Sequence, residues 1–183
     1  KNVQTSAAVF NPEKLIWVNA EYIKISEPAQ VAQALVPLLE AAGLRDEVRA
    51  VSADWLAQLV VLVRERAKTL VEMVEWVKPY FGQAVTFNEE AAKKLLTPAI
   101  APVLGKLLAR FESFPDFSKQ QWEEAFKQLV EAEGMKMGQL AQPVRIALTG
   151  RTASPGLFEV MDILGRERTL LRLRQGLDRA SQL

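Results

Sequence analysis

Cysteine and histidine are both absent from the 183-residue sequence. Without cysteine the chain can form no disulfide bond and no thiolate metal site, which fits a reducing compartment. Without histidine it lacks imidazole acid–base chemistry, histidine-dependent serine or cysteine triads, and histidine metal ligands. The sequence also shows no nucleophile–base pair and no glycine-rich loop. These absences exclude thiolate and histidine metal sites and leave no candidate catalytic group for a hydrolase.

Long apolar segments are missing as well. No run approaches the length of about 18 residues that a membrane-spanning helix needs. The first ten residues lack the apolar centre of a signal peptide. These absences predict a cytoplasmic protein that does not enter a membrane. Because the chain starts at Lys1 without an initiator methionine, we also expect a fragment or a processed piece of a longer protein.

What is present is typical of a globular chain, with 49% hydrophobic and 25% charged residues. The net charge is only +1, but it is unevenly distributed. Residues 143–183 contain seven arginines and four acidic residues, a local net charge of +3. Attraction to phosphate would therefore be concentrated at the C-terminal end. The alternative is that these arginines only solvate a helix face.

Helical signals recur along the whole sequence. Apolar residues repeat at spacings of three and four, and no segment shows convincing alternation with period two. Several helix starts have capping side chains: Asn11, Ser52, Thr69, Asn88 and Ser118. The sequence therefore predicts an all-α fold of two consecutive helical bundles, with residues 1–96 in the first and 97–183 in the second.

Some local predictions are more specific. Trp17 is expected in the core, and Pro37 is expected to kink or split its helix. Pro143 is placed in the first turn of a helix, after a linker that includes residues 136–138. A further helix is expected to start at Ser154 and to end at Gly165.

Two blocks of the sequence resemble the anticodon-binding region of bacterial-type glutamyl-tRNA synthetases. The first is Pro-x-Arg-x-Ala-Leu-Thr-Gly at 143–150, with Ser-Pro-Gly-Leu-Phe-Glu at 154–159 and Leu-Gly-Arg-Glu-Arg at 164–168. The second is Phe-Asn-Pro-Glu-Lys-Leu-Ile-Trp-Val-Asn at 10–19, which looks like the segment beyond the family's second catalytic signature. The resemblance covers essentially the whole chain and implies the helical cage of that family.

The resemblance implies that this chain is the tRNA-selecting part of a longer enzyme whose catalytic part is separate. The parent ligase activates glutamate with ATP and Mg²⁺ and joins it to its tRNA, while this piece selects the tRNA and does not catalyse. Its implied partners are the tRNA for glutamate and the catalytic domain of the same enzyme, in a monomer. Whether the tRNA for glutamine is also accepted stays open. Exposed apolar surface between Phe10 and Tyr22 is expected if the catalytic domain packs there.

The candidate site residues are arginines and one lysine. A planar guanidinium fork can meet two acceptors on an unstacked base. Arg145 is the first candidate because the family places a base-reading arginine in this part of the motif, and Arg151 in the following loop is the second. A basic corner where two helix ends meet is a third candidate, as a group: Arg64, Arg66 and Lys68.

Other arginines and another function remain as alternatives. Arg166, Arg168 and Arg172 are expected to contact phosphates or to serve as structural partners. The positive charges of the basic corner could simply interact with the negative end of a helix dipole. A helical protein-interaction module without an RNA role is the competing function, because a fold does not determine a function.

Overall fold

The computed structural model describes residues 11–182, so Phe10 lies outside the described residues. Within this range the chain forms α-helices and two 3₁₀ turns, at Arg64–Arg66 and Lys78–Tyr80, and no strand. The predicted all-α fold is confirmed. The helices are α1 Pro12–Ile25, α2 Pro28–Ala41, α3 Arg45–Arg49, α4 Ala53–Val63, α5 Leu70–Val77, α6 Glu89–Leu95, α7 Ala101–Glu112, α8 Lys119–Ala132, α9 Met137–Thr149 and α10 Leu157–Ser181.

Helix starts follow the capping signals of the sequence. At the start of α5 the Thr69 Oγ1 accepts a hydrogen bond from the Glu72 N–H at 3.1 Å. The Glu72 Oε2 in turn accepts from the Lys68 N–H at 2.8 Å. Such side chains satisfy backbone donors that the first helical turn leaves unpaired. The other predicted caps accept from backbone N–H groups in the same way: Asn11, Ser52, Asn88 and Ser118.

Two prolines affect their helices differently from the prediction. Pro143 is buried inside α9, because that helix begins at Met137 and not at the proline. The Gln139 Oε1 accepts from the Lys136 N–H at 2.6 Å, which satisfies a donor at the helix start. The predicted linker at 136–138 is therefore wrong. Pro37 lies inside α2, which continues past it to Ala41 without being split.

The last helix has an interruption at Gly165. This residue has φ 72° and ψ 172°, which is non-helical, so α10 consists of two segments that meet at a kink. The predicted end at Gly165 is confirmed. The predicted start at Ser154 is early, since the helix begins at Leu157 after Gly156. Nearer the C-terminus, a Cβ at Gly176 would collide with Ala147, so the absence of a side chain permits close packing of α10 on α9.

Helices α2, α4 and α5 pack together, and α7, α8 and α9 pack around α10. The Trp55 Nε1 donates to the Ile163 carbonyl oxygen at 2.8 Å, which joins α4 to α10. α6 packs against α9, on the C-terminal side of the chain. The predicted boundary between residues 96 and 97 stays a prediction.

The outer face of α1 is largely apolar and exposed. Trp17 has 63% of its surface exposed, so its predicted place in the core is wrong. α1 meets the other described helices through only part of its surface, where Ala20 and Ile23 are buried. We call the exposed set the α1 face: Leu15, Ile16, Trp17, Tyr22 and Ile25. Within residues 11–182, no helix is both long enough and apolar enough to cross a membrane.

Candidate nucleic-acid interface

The turn between α9 and α10 carries the two leading candidate arginines. α9 ends at Gly150, whose φ of 72° lies in the left-handed region that glycine adopts without strain. The Gly150 carbonyl oxygen accepts from the Asn88 N–H at 2.9 Å, which fixes the turn against the start of α6. Arg145 therefore lies near the C-terminal end of a rigid helix, and Arg151 follows directly after Gly150.

Arg145 is half-buried and anchored on one side. Its Nη1 donates to the Pro155 carbonyl oxygen at 2.7 Å and the Ser154 carbonyl oxygen at 3.2 Å, and it also contacts the Ser154 hydroxyl. In the described part of the chain, its Nε and Nη2 have no hydrogen-bond partner. Burial lowers the pKa of the Arg145 guanidinium, and the positive charge of Arg66 lowers it further. One edge of this guanidinium is thus held in place while the other edge remains available.

Arg151 is anchored to α5. Its Nη1 donates to the Glu75 carbonyl oxygen at 2.7 Å, and its Nη2 lies 3.7 Å from the Glu75 Oε2. The side chain remains 40% exposed. Because Glu75 precedes Trp76, this contact places the predicted loop arginine next to an aromatic residue of α5.

The basic corner divides between two locations. The Arg66 guanidinium carbon lies 5.7 Å from the centre of the Trp76 ring, in cation–π geometry. Lys68 is exposed and lines a depression beside α1, together with Trp17 and Arg66. Arg64 is half-exposed at the end of α4. Of the predicted corner, Arg66 contacts Trp76, which lines the same cavity as Arg151 of the α9–α10 turn.

Tyr80 is a buried aromatic residue in the segment whose backbone Arg168 and Arg172 bond. It is 2% exposed, and its hydroxyl has no hydrogen-bond partner among residues 11–182. Burial raises the pKa of Tyr80 to about 12, while the positive charges of Arg66, Arg145, Arg172 and Arg151 oppose this rise. Contacts also bring these arginines near one another, since Arg66 lies over Trp76 of α5, Arg151 bonds the adjacent Glu75, and Arg145 lies in the helix that ends just before Arg151. We call Arg66, Arg145 and Arg151 the arginine cluster.

Arg172 has a structural place. It is fully buried, and its Nη1 donates to the carbonyl oxygens of Pro79 and Leu148, both at 2.6 Å. Its Nη2 donates to the carbonyl oxygens of Phe81 and Gly82 at 3.1 and 3.0 Å. A buried guanidinium engaged in this way is out of reach of phosphate. The predicted phosphate contact of Arg172 is corrected to the structural alternative.

Arg166 and Arg168 also bond the backbone, but both remain half-exposed. Arg166 donates to the carbonyl oxygens of Glu112 and Phe114, each at 3.1 Å. Arg168 donates to the Tyr80 carbonyl oxygen at 3.0 Å, and its guanidinium carbon lies 5.2 Å from the Trp55 ring centre. A phosphate contact by either residue stays a prediction.

Two surface cavities flank Arg151. One has a volume of about 620 Å³ and lies between α5, α6 and the α9–α10 turn, with Trp76, Lys94 and Arg151 in its wall. We call it the Trp76 cavity. The other, of about 610 Å³, is lined by Arg151, Thr149 and the segment 81–86. Sequence reasoning missed both Trp76 and Tyr80, because aromatic residues in an apolar pattern indicate a core position.

A family model described as an anticodon binding domain matches residues 30–177. The glutamate–tRNA ligase of Geotalea uraniireducens (strain Rf4) is 44% identical over 177 residues, which cover 97% of this chain and 37% of that protein. The glutamate–tRNA ligase of Geobacter sulfurreducens is 42% identical over 173 residues, which cover 94% of this chain and 36% of that protein. The chain therefore spans little more than a third of the length of these relatives.

Solved structures give the same result. A crystal structure of a glutamate tRNA ligase from Elizabethkingia meningosepticum, in complex with its amino acid, matches with a TM-score of 0.76 at 26% identity. The glutamate–tRNA synthetase from Elizabethkingia anophelis matches with a TM-score of 0.71 at 25% identity. Each match covers 92% of this chain and 32% of the solved chain. With its fold shared over most of its length and a family match across residues 30–177, this chain belongs to the anticodon-binding domain family.

Proposed function

We propose that this chain reads the anticodon of the tRNA for glutamate, as the anticodon-binding part of a glutamate–tRNA ligase. The observation that carries the proposal is the arginine cluster. Arg66 lies over Trp76, and Arg151 bonds the adjacent Glu75 of the same helix, α5. Arg145 lies in α9, the helix that ends just before Arg151. Unstacked anticodon bases are read by hydrogen bonds to their polar edges and by stacking on aromatic or guanidinium planes.

Arg145 is the side chain best arranged to read a base. Its Nη1 is held by the carbonyl oxygens of Ser154 and Pro155, so the orientation of the guanidinium plane is fixed before RNA arrives. Its remaining N–H groups can then donate to a base without a large loss of side-chain freedom. A bidentate contact of this kind discriminates between bases by about 1–3 kcal/mol.

The rest of the ligase is the proposed intramolecular partner. The α1 face exposes large apolar side chains, which match the expectation for a surface that a catalytic domain covers. ATP and Mg²⁺ would be bound in that domain, as the resemblance to glutamyl-tRNA synthetases implies. We propose a monomer. Acceptance of the glutamine tRNA would depend on one or two residues around the basic corner.

The direct test is binding of an anticodon stem-loop RNA to this chain, measured by fluorescence anisotropy at two salt concentrations. We expect the stem-loop with the glutamate anticodon to bind more tightly than one with a swapped anticodon. Arg145→Lys keeps the charge but removes the planar guanidinium. It should therefore reduce the difference in binding free energy between the two RNAs by about 1–3 kcal/mol. Arg66→Ala should weaken binding to both RNAs if Arg66 contacts phosphate, and only to the matched RNA if it contacts a base.

The control variant is Arg110→Ala. Arg110 is an exposed arginine of α7 that lies over Phe114 and belongs to neither the cluster nor the two cavities. It carries the same charge, so this substitution changes the overall charge as Arg66→Ala does. Weak binding that ignores the anticodon, or equal effects of Arg110→Ala and Arg66→Ala, would favour the protein-interaction module instead.

A further inference from the structure

The Trp76 cavity has features that reading of the anticodon triplet does not use. Its wall contains one aromatic residue, Trp76, two cations and one carboxylate, and two neutral polar residues: Lys94, Arg151, Glu90, Asn88 and Thr152. Its volume of about 620 Å³ lies within the range of about 300–1,000 Å³ that is typical of small-ligand sites. A stacking surface beside a cation is the combination that binds a single-stranded nucleotide.

We propose that the Trp76 cavity binds one nucleotide of the anticodon loop that adjoins the triplet, without reading which base it is. The inference rests on the proposed function, and it adds a nucleotide site outside the triplet. The base would stack on the exposed part of the Trp76 ring, and its phosphate would lie near Lys94.

The arrangement of donors explains why this nucleotide lies outside the triplet. Arg145, the best-placed reader, does not line the cavity. Arg151 does line it, but its guanidinium already bonds the Glu75 carbonyl oxygen at 2.7 Å and pairs with the Glu75 carboxylate. The cavity thus offers stacking and charge but no free guanidinium fork. Stacking tolerates any base, because every base has a π face.

The position of the cavity supports continuity with the arginine cluster. Arg66 lies over the Trp76 ring, 5.7 Å from its centre, so Trp76 belongs both to the cluster's surroundings and to the cavity wall. Arg151 is likewise in the cluster and in the wall. An RNA strand that leaves the cluster would therefore meet the cavity as its next surface. The cation–π contact also holds the indole in one orientation.

The experiment combines abasic substitution in the RNA with substitution in the protein. Stem-loops with the glutamate anticodon carry an abasic site at each loop position in turn, and each is titrated against the unsubstituted chain, Trp76→Leu and Trp76→Phe. For the unsubstituted chain, we expect an abasic site at one position beside the triplet to weaken binding at least about fivefold. Trp76→Leu should abolish that effect, whereas Trp76→Phe should retain it. Replacing the base there by any other base should change affinity little.

A lysine pair provides the charge control. Lys94 lines the cavity, whereas the adjacent Lys93 is exposed on α6 and does not. Lys94→Ala should weaken RNA binding and reduce the slope of log affinity against log salt by about one unit. Lys93→Ala should do neither, although it removes the same charge from the same helix.

The outcomes separate this inference from the proposed function. If binding depends on Arg145 and on the anticodon, but no position beside the triplet depends on Trp76, the inference is overturned and the proposed function stands. A dependence on Trp76 confined to triplet positions overturns it in the same way. If no stem-loop binds, both proposals fall. Circular dichroism melts of Trp76→Leu and Trp76→Phe show whether both variants are folded, and Lys94→Ala tests the same cavity with an exposed side chain.

Discussion

Arg172 in α10 donates a hydrogen bond to the Leu148 carbonyl oxygen in α9 at 2.6 Å, within the last turn of the helix that carries Arg145. The same guanidinium bonds the segment around Pro79 to Gly82. One buried side chain therefore joins α9, α10 and the segment that contains Tyr80. The arginines of the C-terminal region thus have two separate tasks, since some hold the scaffold and others face the surface.

Arg172→Met should destabilise the chain strongly. The methionine fills much of the volume, but it leaves four backbone carbonyl oxygens without the donors that Arg172 provides. We expect a loss of about 3–5 kcal/mol in the free energy of unfolding, measured by urea denaturation with circular dichroism. The control is Arg174→Met, since Arg174 is exposed and paired with Glu112, and should cost less than about 1 kcal/mol. Equal losses would contradict a structural role for Arg172.

Tyr80→Phe should leave the chain as stable as before or more stable by about 1 kcal/mol at neutral pH. The hydroxyl is buried without a hydrogen-bond partner in the described residues, so its removal relieves a desolvation cost and breaks no bond. Tyr22→Phe is the matched control, because Tyr22 is 62% exposed and should show no change. A clear loss of stability in Tyr80→Phe would mean that the hydroxyl has a partner in solution.

The stability of the unsubstituted chain should also fall at alkaline pH because of Tyr80. Its pKa is raised to about 12 in the folded chain, above the ordinary value of 10.0, so the folded state keeps the proton after the unfolded state has lost it. The stability that this raised pKa contributes to the folded state is fully present below pH 10 and is lost as the pH rises towards 12. Between pH 9 and pH 11 the unsubstituted chain should lose about 1 kcal/mol more than Tyr80→Phe. If the free energies of unfolding of the two proteins fell in parallel between pH 9 and pH 11, the assignment to Tyr80 would be wrong.

Much of the fold could be predicted because its signals are local. The caps at Thr69 and Ser118 act within four residues of the chain, and Gly150 and Gly165 end helical segments where the sequence predicts. Pro143 misled the prediction, because proline favours a first helical turn and only the packing of α9 in the core shows that the helix starts earlier. Tertiary packing outweighed the local preference there.

The site was less predictable because it depends on long-range contacts. The sequence marked Arg145, Arg151 and Arg66 as cations, but nothing in the spacing indicates that Arg66 and Arg151 contact adjacent residues of α5. Arg172 is likewise an arginine of the basic C-terminal region. Only its burial shows that it holds the scaffold and does not face the surface. Resemblance to a family pointed to Arg145, whereas the cation–π contact of Arg66 with Trp76 required coordinates.

Trp17→Ser should leave the free energy of unfolding of this chain unchanged within about 0.5 kcal/mol. The side chain is 63% exposed on the α1 face, so little burial is lost when it is removed. The contrasting variant is Trp122→Ala, because Trp122 is fully buried and stacks on Phe111 with ring centres 4.0 Å apart. That change should cost about 3–5 kcal/mol. A large loss in Trp17→Ser would show that α1 packs more tightly in solution.

Gly150→Ala should destabilise the chain by more than about 2 kcal/mol. An L-residue at φ 72° is strained, and the new Cβ would collide with the Thr86 carbonyl group and lie 3.2 Å from the Val85 Cγ1. Gly134→Ala isolates the backbone effect, since Gly134 has φ 62° but open space around it, and it should cost about 1 kcal/mol. Because Arg151 follows Gly150, we expect relief of the collision to move that arginine, so RNA affinity should fall in Gly150→Ala alone. Urea denaturation and stem-loop titration of the two variants check both effects, and equal values would show that the turn yields without moving Arg151.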